Sequence, residues 1–345
     1  MAAARPGGDR WRGALDRYGW MVIALVGAYY TGVQLHRRGL DLGHWDFMRV
    51  SAWFWLAFGF DLAQQAPRRM RDMVERLHRR GALEATDGEV ARVLADIERR
   101  SSRWGVILGA ASAVLLLVAH LTRGGLNAFD YVLILVGAFG GGFHLGRGAS
   151  YGRIGWLLRR QGCLLRVMPN HIDGVGGLKP VGEFYYFQAK IAALPAIYLI
   201  VWLLIIPAWS DNRYDEWRGP FLGFLALVLA IEVLSFVVPT WAFHREMADQ
   251  KAAQEAEADR LSAEIVSVQR RLATAAPADA AGLKEQLADA AERYRILDEM
   301  PTWPVDVRTR RQFRLGNLAL FVPLVGKALG SESVGKQVQD VLKGL

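Results

Sequence analysis

Residues 191–209, IAALPAIYLIVWLLIIPAW, decide the fold, because this run of nineteen residues contains no charged side chain. Residues 106–121 and 221–238 are almost as apolar. A helix needs about 20 apolar residues to cross a hydrocarbon layer about 30 Å thick, whereas a soluble helix of that length carries polar residues on every turn. The sequence therefore predicts an all-α protein, built as a polytopic membrane helical bundle.

Further apolar stretches on both sides bring the prediction to about six transmembrane helices. The second is the shortest, since Arg49 and Asp61 bracket its apolar centre. The fourth contains Gly137/Gly141 and Gly142/Gly146, whose four-residue spacing lets two helix backbones approach closely; we expect it to pack on protein. The predicted spans are residues 18–34, 45–62, 104–121, 129–145, 189–208 and 220–242, each boundary being approximate.

The distribution of basic residues predicts the orientation. The connections after the first, third and fifth spans carry five Lys and Arg residues, whereas the N-terminus, residues 64–103 and residues 147–190 carry twenty-one. Lys and Arg accumulate in cytoplasmic connections, so both termini are expected in the cytoplasm. The formal net charge of +8 then reflects membrane orientation, with the lipid bilayer as partner and no nucleic acid. The single cysteine, Cys163, excludes an intramolecular disulfide.

The connections divide the chain into five parts. Residues 1–63 hold the first two spans. Residues 64–103 form a cytoplasmic two-helix insert, in which Pro67 opens the first helix, and Thr86 with Glu89 forms a capping box for the second. Residues 104–242 are a four-helix transmembrane core with a cytoplasmic loop at 147–188. Residues 243–299 form a cytoplasmic coiled-coil-like hairpin, and residues 300–345 are a tail that packs on or near the membrane.

Residues 168–178, MPNHIDGVGGL, form a candidate functional loop before the fifth span. Its key side chains and glycines are His171, Asp173, Gly174, Gly176, Gly177 and Lys179. The imidazole and the carboxylate are two residues apart, so they share one face of an extended segment. The pair could bind a divalent metal, and the glycines with the lysine could cradle a phosphate or an anionic headgroup. The pair could also act as general acid and base, although no nucleophile is visible.

The alternative for this loop is structural. Polar side chains would cap tight turns, and the imidazole would hydrogen-bond the backbone to fix the connection between two spans. The residues identify no cofactor, and they favour a protein that is not an enzyme without settling the question.

Three ionisable residues, His144, Lys190 and Glu232, lie within or at the edge of predicted spans. Such groups normally face the bundle interior or a wet cavity. Glu232 is nearest to the middle of a span, where a carboxylate is most costly to bury. It could be a proton or cation site, or a neutral carboxyl group that locks two helices together.

Residues 300–306, MPTWPVD, break the helix with two prolines around Trp303 and end at Asp306. Trp303 is best interpreted as a structural plug, with ligand binding as the alternative. M-P-x-W-P-x-D here and H-x-D-x-x-G-G-L at residues 171–178 together resemble a loosely defined group of uncharacterised bacterial multi-pass membrane proteins. Ile172 and Val305 depart from its pattern, where Pro and Phe are common. The resemblance implies a bacterial inner (plasma) membrane and no mechanism. It also suggests that Trp303 and Asp306 meet the loop at the cytoplasmic mouth.

Three functions remain open, and they are ranked by their support in the sequence. The first is a channel- or transporter-like protein, a homo-oligomer, whose cytoplasmic loop and hairpin gate a path lined by the fourth, fifth and sixth helices. The second is a membrane-anchored signalling or scaffold protein that binds a cytoplasmic protein through residues 243–299. The third is a membrane enzyme that acts on a lipid or phosphate ester through His171 and Asp173.

Overall fold

The computed structural model describes residues 25–29, 32–33, 36, 47–121, 128–209 and 218–328, and within these ranges the chain is mainly helical. This confirms the all-α prediction. A minimal antiparallel sheet pairs β1 (Leu83–Glu84) with β2 (Leu164–Leu165). The helices are α1 (Phe47–Arg79), α2 (Asp87–Leu121), α3 (Ala128–Tyr151), α4 (Ile154–Arg160), α5 (Lys179–Trp209), α6 (Arg218–Ala252), α7 (Glu255–Thr274), α8 (Pro277–Asp298) and α9 (Val307–Ala328).

Three of the described helices, α2, α5 and α6, are long and apolar enough to cross a membrane. Large apolar side chains stay exposed on their outer faces, among them Leu115 and Leu234. An exposed apolar surface of this extent is unusual in a soluble monomer, so the fold is that of a membrane-associated helical protein. The predicted first span lies largely outside the described residues, and the end of the tail, residues 329–345, lies wholly outside them.

The two-helix insert is continuous with the neighbouring apolar helices. Pro67 lies inside α1 and does not begin a helix. A proline removes one backbone hydrogen bond and crowds the preceding turn, but the buried stripe of α1 continues through Ala63, Ala66 and Met70 on both sides of it. Burial of that stripe therefore outweighs the local cost. Helix α2 likewise runs without interruption past the expected boundary at residue 103.

The capping box at the start of α2 is confirmed. The Thr86 backbone N–H donates to Glu89 Oε2 at 2.8 Å, and the Glu89 N–H donates to Thr86 Oγ1 at 3.3 Å. Each side chain thus satisfies a backbone donor that the first helical turn leaves free.

The largest core lies at one end of the bundle, where α1 ends and α5 begins; we call this the head end. It buries the apolar faces expected for residues 64–103, together with α4, the start of α5 and the end of α6. The tail contributes Met300 and Val305 to the same core. The two segments predicted as cytoplasmic connections are therefore parts of one packed unit.

The long apolar helices alternate in direction along the chain. A Cβ on Gly59 of α1 would lie 3.7 Å from Leu194 of α5, and Arg76 of α1 pairs with Glu183 of α5 at 2.9 Å, so these helices are antiparallel. Helices α2 and α3 are antiparallel as well, as are α5 and α6. Helix α5 contacts α1, α3, α6 and α9 and is the central element of the bundle.

Helices α2 and α3 are held together through glycine. A Cβ on Gly142 would collide with Leu108 O, and one on Gly146 would collide with Trp104 O. The expected close approach at this pair is confirmed. Gly141, in contrast, faces open space, so the pair Gly137/Gly141 does not serve this contact. The facing helix supplies its own four-residue pair, Gly105 and Gly109, which the sequence analysis did not single out.

Helices α7 and α8 form the expected hairpin, with a turn at residues 275–276. Their main helix-to-helix packing is with each other, through buried Leu261, Val268, Leu283 and Ala290. At the base of the hairpin, Lys251 Nζ donates to Asp298 O at 2.6 Å, which joins the end of α6 to the end of α8.

Helix α9 lies in the tail, residues 300–345, and it packs on the bundle. The Phe313 and Phe236 rings stack with centroids 4.1 Å apart. Farther along, Leu320 and Phe321 pack against a second cluster formed by α5 and α6. Helix α9 therefore follows α6 for about two turns, in the opposite direction.

Candidate functional site

Asp173 is the centre of the candidate functional loop. Its side chain is 5% exposed, and Oδ1 accepts hydrogen bonds from the Val175 and Gly177 amides, both at 3.0 Å. Oδ2 accepts from the Lys179 amide at 3.3 Å and from Arg80 Nη1 at 3.2 Å. One carboxylate thus folds the loop, caps the start of α5 and ties the loop to the end of α1.

The glycines make this wrapping possible. Gly174, Gly176 and Gly177 have φ between 66° and 87°, a region that side chains with a Cβ rarely adopt. A Cβ on Gly176 would also lie 2.5 Å from Val167 Cγ1, and one on Gly177 would collide with the Met168 side chain. The backbone conformation requires glycine at both positions, and the Val167 side chain adds a steric reason at Gly176.

The electrostatics of the loop favour an ionised carboxylate. Burial alone would raise the pKa of Asp173, but hydrogen bonds from the Gly177 and Val175 amides, from His171 and from the Lys179 amide outweigh it and lower that pKa. His171 Nδ1 lies 2.9 Å from Asp173 Oδ1 and 3.3 Å from the Asp173 amide nitrogen. The His171 imidazole therefore packs against the carboxylate and the backbone of Asp173, within its own loop.

These contacts bear on the three functional interpretations of the loop. The amides that could cradle a phosphate are already bound to the Asp173 carboxylate, and both carboxylate oxygens already have partners. The described residues contain no group of three or more His, Cys, Asp or Glu side chains that could hold a metal ion. Glu183, a possible third ligand, pairs with Arg76 at 2.9 Å. The geometry thus favours the structural interpretation of His171 and Asp173.

The tail folds back onto the start of α5. Lys179 Nζ lies 3.7 Å from Asp306 Oδ2, and Asp306 Oδ1 accepts from the Thr309 amide at 2.8 Å, which caps α9. Burial would raise the pKa of Asp306, but hydrogen bonds from the Thr309 hydroxyl and amide, with the charge of Lys179, lower it. A Cβ on Gly182 would lie 2.6 Å from Pro304 O. The two sequence motifs are therefore in direct contact.

Trp303 packs on the end of α6. Its ring stacks on His244, with centroids 4.2 Å apart, and meets Trp241 edge-on at 5.8 Å. His244 Nδ1 lies 2.6 Å from Thr302 O, so the imidazole also holds the tail backbone. This arrangement is that of a structural plug, as expected, although its partner is α6 and not the loop.

The ionisable residues of the apolar helices have three different surroundings. His144 lies between the edges of Phe60 and Phe143, with ring centroids 5.3 and 5.5 Å away. Lys190 is exposed, with Nζ 4.8 Å from the centroid of the Tyr186 ring, and so does not face the packed interior as expected. Glu232 is buried, and its Oε2 has no hydrogen-bond partner within the described part of the chain.

The packing register brings Asn317 of α9 to the level of Glu232. On α6, Glu232 lies between Phe236, which stacks on Phe313, and Leu229, which belongs to the cluster contacted by Leu320. On α9, Asn317 lies between Phe313 and Leu320, one turn from each. Since residues three and four apart share a helix face, the two polar side chains occupy corresponding positions of the α6–α9 contact. Asn317 Oδ1 is also buried without a hydrogen-bond partner in the described ranges.

Three residues with buried, unpartnered polar atoms were not predicted from the sequence: Asn317, Arg147 and Gln188. Asn317 interrupts an apolar stretch as Glu232 does, and that shared feature was the available signal. Arg147 and Gln188 were counted only as parts of a connection.

Comparison of the chain with protein-family models, curated proteins and solved structures found no match.

Proposed function

We propose that the chain is a multi-pass protein of a bacterial inner membrane, with six spans and both termini in the cytoplasm. The spans would be residues 18–34 and the apolar parts of α1, α2, α3, α5 and α6. Three observations support this topology: the long apolar helices alternate in direction along the chain, exposed apolar side chains such as Phe54 and Phe139 continue the outer surface onto α1 and α3, and basic residues concentrate at the head end.

Cysteine labelling tests the topology directly. The natural Cys163 is buried, and Ile172 is almost fully exposed on the loop, while Asp289 is exposed on the hairpin. We expect Ile172→Cys and Asp289→Cys to react with an impermeant maleimide in inside-out vesicles and to be protected in intact cells. Labelling of the two positions from opposite sides would overturn the topology.

We infer further that the protein conducts protons or a small cation across the membrane. The observation that carries this proposal is the buried Glu232 carboxyl with an unpartnered oxygen. An ionised carboxylate in an apolar surrounding costs several kcal/mol unless it is compensated. Asn317 Oδ1 at the same level is a second acceptor. Two buried acceptor oxygens at the same level of the helix contact would be stabilised by a proton shared between them or by a bound cation.

Ion flux in liposomes tests the proposal. The full-length protein is reconstituted with a pH-sensitive dye or a sodium- or potassium-sensitive dye inside, and flux is started with a membrane potential. We expect Glu232→Gln to abolish flux, because the amide neither ionises nor releases a proton. Glu264→Gln, an equivalent change at an exposed position of α7, should leave flux unchanged. If the two variants show equal flux, Glu232 does not take part in ion conduction, and its carboxyl group only holds helices together.

The hairpin supports a second candidate function, that of a scaffold for a cytoplasmic protein. The observation in its favour is that α7 and α8 pack mainly on each other and leave most of their surface exposed. Lys251 Nζ is 3.4 Å from Met300 O, so the two ends of the hairpin are adjacent. A short glycine linker should replace residues 255–298 without disturbing the bundle. If the protein is a scaffold, a defined partner protein copurifies with the full chain and not with the shortened chain. If the same proteins copurify with both chains, the scaffold function is excluded.

A further inference from the structure

Arg147 of α3 is a half-buried arginine, and its buried Nε has no hydrogen-bond partner among the described residues. Its Cζ lies 5.4 Å from the centroid of the Phe143 ring, one turn toward the start of α3. An arginine near the end of a span usually extends toward water, whereas this guanidinium leans toward the apolar part of the helix. A desolvated charge in this direction calls for a compensating anion.

Three buried side chains beside Arg147 also lack hydrogen-bond partners among the described residues. They are the Ser150 hydroxyl, the Tyr151 hydroxyl and the Gln188 side-chain amide nitrogen, on residues that are 6%, 1% and 9% exposed. Arg147 Nε is unpartnered as well. Buried polar groups are almost always satisfied in folded proteins. Four such groups on neighbouring turns of two helices therefore point to a missing ligand.

Contacts between α3 and α5 hold these groups together. Tyr185 donates to Tyr151 O at 2.9 Å, and the Tyr151 ring packs edge-on against Phe184 with centroids 5.7 Å apart. The Tyr151 phenol lies near the Arg147 guanidinium and near Ser101 and Glu98 of α2, without forming a hydrogen bond of normal geometry with any of them. One turn farther along α5 comes Gln188, and a Cβ on Gly148 would lie 3.7 Å from its Oε1. Gln188 therefore packs against the turn of α3 that follows Arg147.

We propose that Arg147, Tyr151 and Gln188 form a binding site for a phosphate group between α3 and α5. All the unpartnered atoms can donate a hydrogen bond, and Arg147 brings a positive charge, which together suit an oxyanion; the nearby Glu98 carboxylate is already paired with Arg71. The planar guanidinium matches two phosphate oxygens at once. The Tyr151 hydroxyl and the Gln188 amide supply further donors for the remaining oxygens. The phosphate belongs either to a small soluble ester or to the headgroup of an anionic lipid.

This site is independent of the proposed ion flux. Gln188 and Phe184 lie on the side of α5 that faces α3, whereas Glu232 lies on α6 opposite α9. Loss of phosphate binding would not count against the proposed ion flux through Glu232, and loss of ion flux would not count against the phosphate site.

The test uses the full-length protein and two probes. Inorganic phosphate is titrated into the detergent-solubilised protein, and thermal unfolding and calorimetry report binding. Separately, the protein is placed in nanodiscs of phosphatidylcholine with or without phosphatidic acid, and native mass spectrometry counts the retained phosphatidic acid. Arg147→Gln removes the charge at the site, and Arg153→Gln removes the same charge from an exposed position two residues beyond α3. Tyr151→Phe removes one hydroxyl and serves if Arg147→Gln does not fold.

We expect Arg147→Gln to weaken binding at least about tenfold, since a charged hydrogen bond is among the strongest contacts, and Arg153→Gln to bind as the natural protein does. Tyr151→Phe should weaken binding by a smaller factor. Binding of inorganic phosphate that is lost in Arg147→Gln identifies a soluble ligand. Retention of phosphatidic acid alone, lost in the same variant, identifies a lipid headgroup. Absence of binding to both probes, or equal binding by the two arginine variants, overturns the proposal.

Discussion

Replacing Asp173 by Asn should destabilise the head end strongly, although it changes one oxygen to an NH2 group. The amide oxygen can still accept from Val175 and Gly177, but the position of Oδ2, which accepts from the Lys179 amide and from Arg80, becomes a donor. A hydrogen bond to a charged group contributes about 1.5–3 kcal/mol. Arg80 is one-third exposed, so water screens part of its contribution. The expected loss is therefore about 2–4 kcal/mol of the free energy of unfolding.

Thermal unfolding of the purified protein, followed by tryptophan fluorescence, measures this loss. Asp289→Asn is the matched control, because Asp289 is 72% exposed and faces Arg293 at 3.9 Å on the hairpin; such an exposed pair contributes no more than about 0.5 kcal/mol. We expect Asp173→Asn to unfold several degrees below the control. Equal melting temperatures would show that the carboxylate does not hold the loop together.

The other predictions concern pH and glycine. Because the pKa of Asp173 is lowered by folding, its contribution is present above the unfolded pKa of about 3.9 and is lost as pH falls through the folded pKa. The difference in the free energy of unfolding between the natural protein and Asp173→Asn should stay constant from pH 5 to 8 and shrink below about pH 4. A difference that grows on acidification would show that folding does not lower the pKa of Asp173. Gly146→Ala should cost about 1–3 kcal/mol by forcing α2 and α3 apart, whereas Gly141→Ala, which faces open space, should be neutral or slightly stabilising in the same melting assay. Gly182→Ala, whose Cβ would lie 2.6 Å from a tail carbonyl, should speed proteolysis at residues 300–306, whereas Gly59→Ala, with 3.7 Å of clearance, should not.

Features that depend on nearby residues were predictable from the sequence. Met70, Met73, Val74 and Leu77 recur at helical spacing, which by itself predicts one buried helix face, and all four are fully buried. The capping box between Thr86 and Glu89 is equally local. Periodicity and capping are set within a few turns, so they can be read from a single chain.

Features that depend on tertiary contacts were not predictable. Local rules begin a helix at Pro67, but the packing of α1 on its neighbours carries the helix through it. The sequence marked Asp173 as unusual, yet its role depends on Arg80, which is 93 residues earlier. The correspondence of Glu232 with Asn317 depends on how α9 aligns with α6. No spacing rule connects residues that far apart.

Helix α2 extends over 35 residues, which corresponds to about 50 Å, and no proline interrupts it. One end is embedded in the packed core through Val90, Val93 and Ile97, and its apolar half is clamped to α3 by glycine contacts. Such a rod is a lever: a tilt of about 10° around the core would move a point 30 Å away by about 5 Å. A tilt imposed at the head end would therefore displace the far ends of α2 and α3 together, because the glycine contacts hold the two helices to each other.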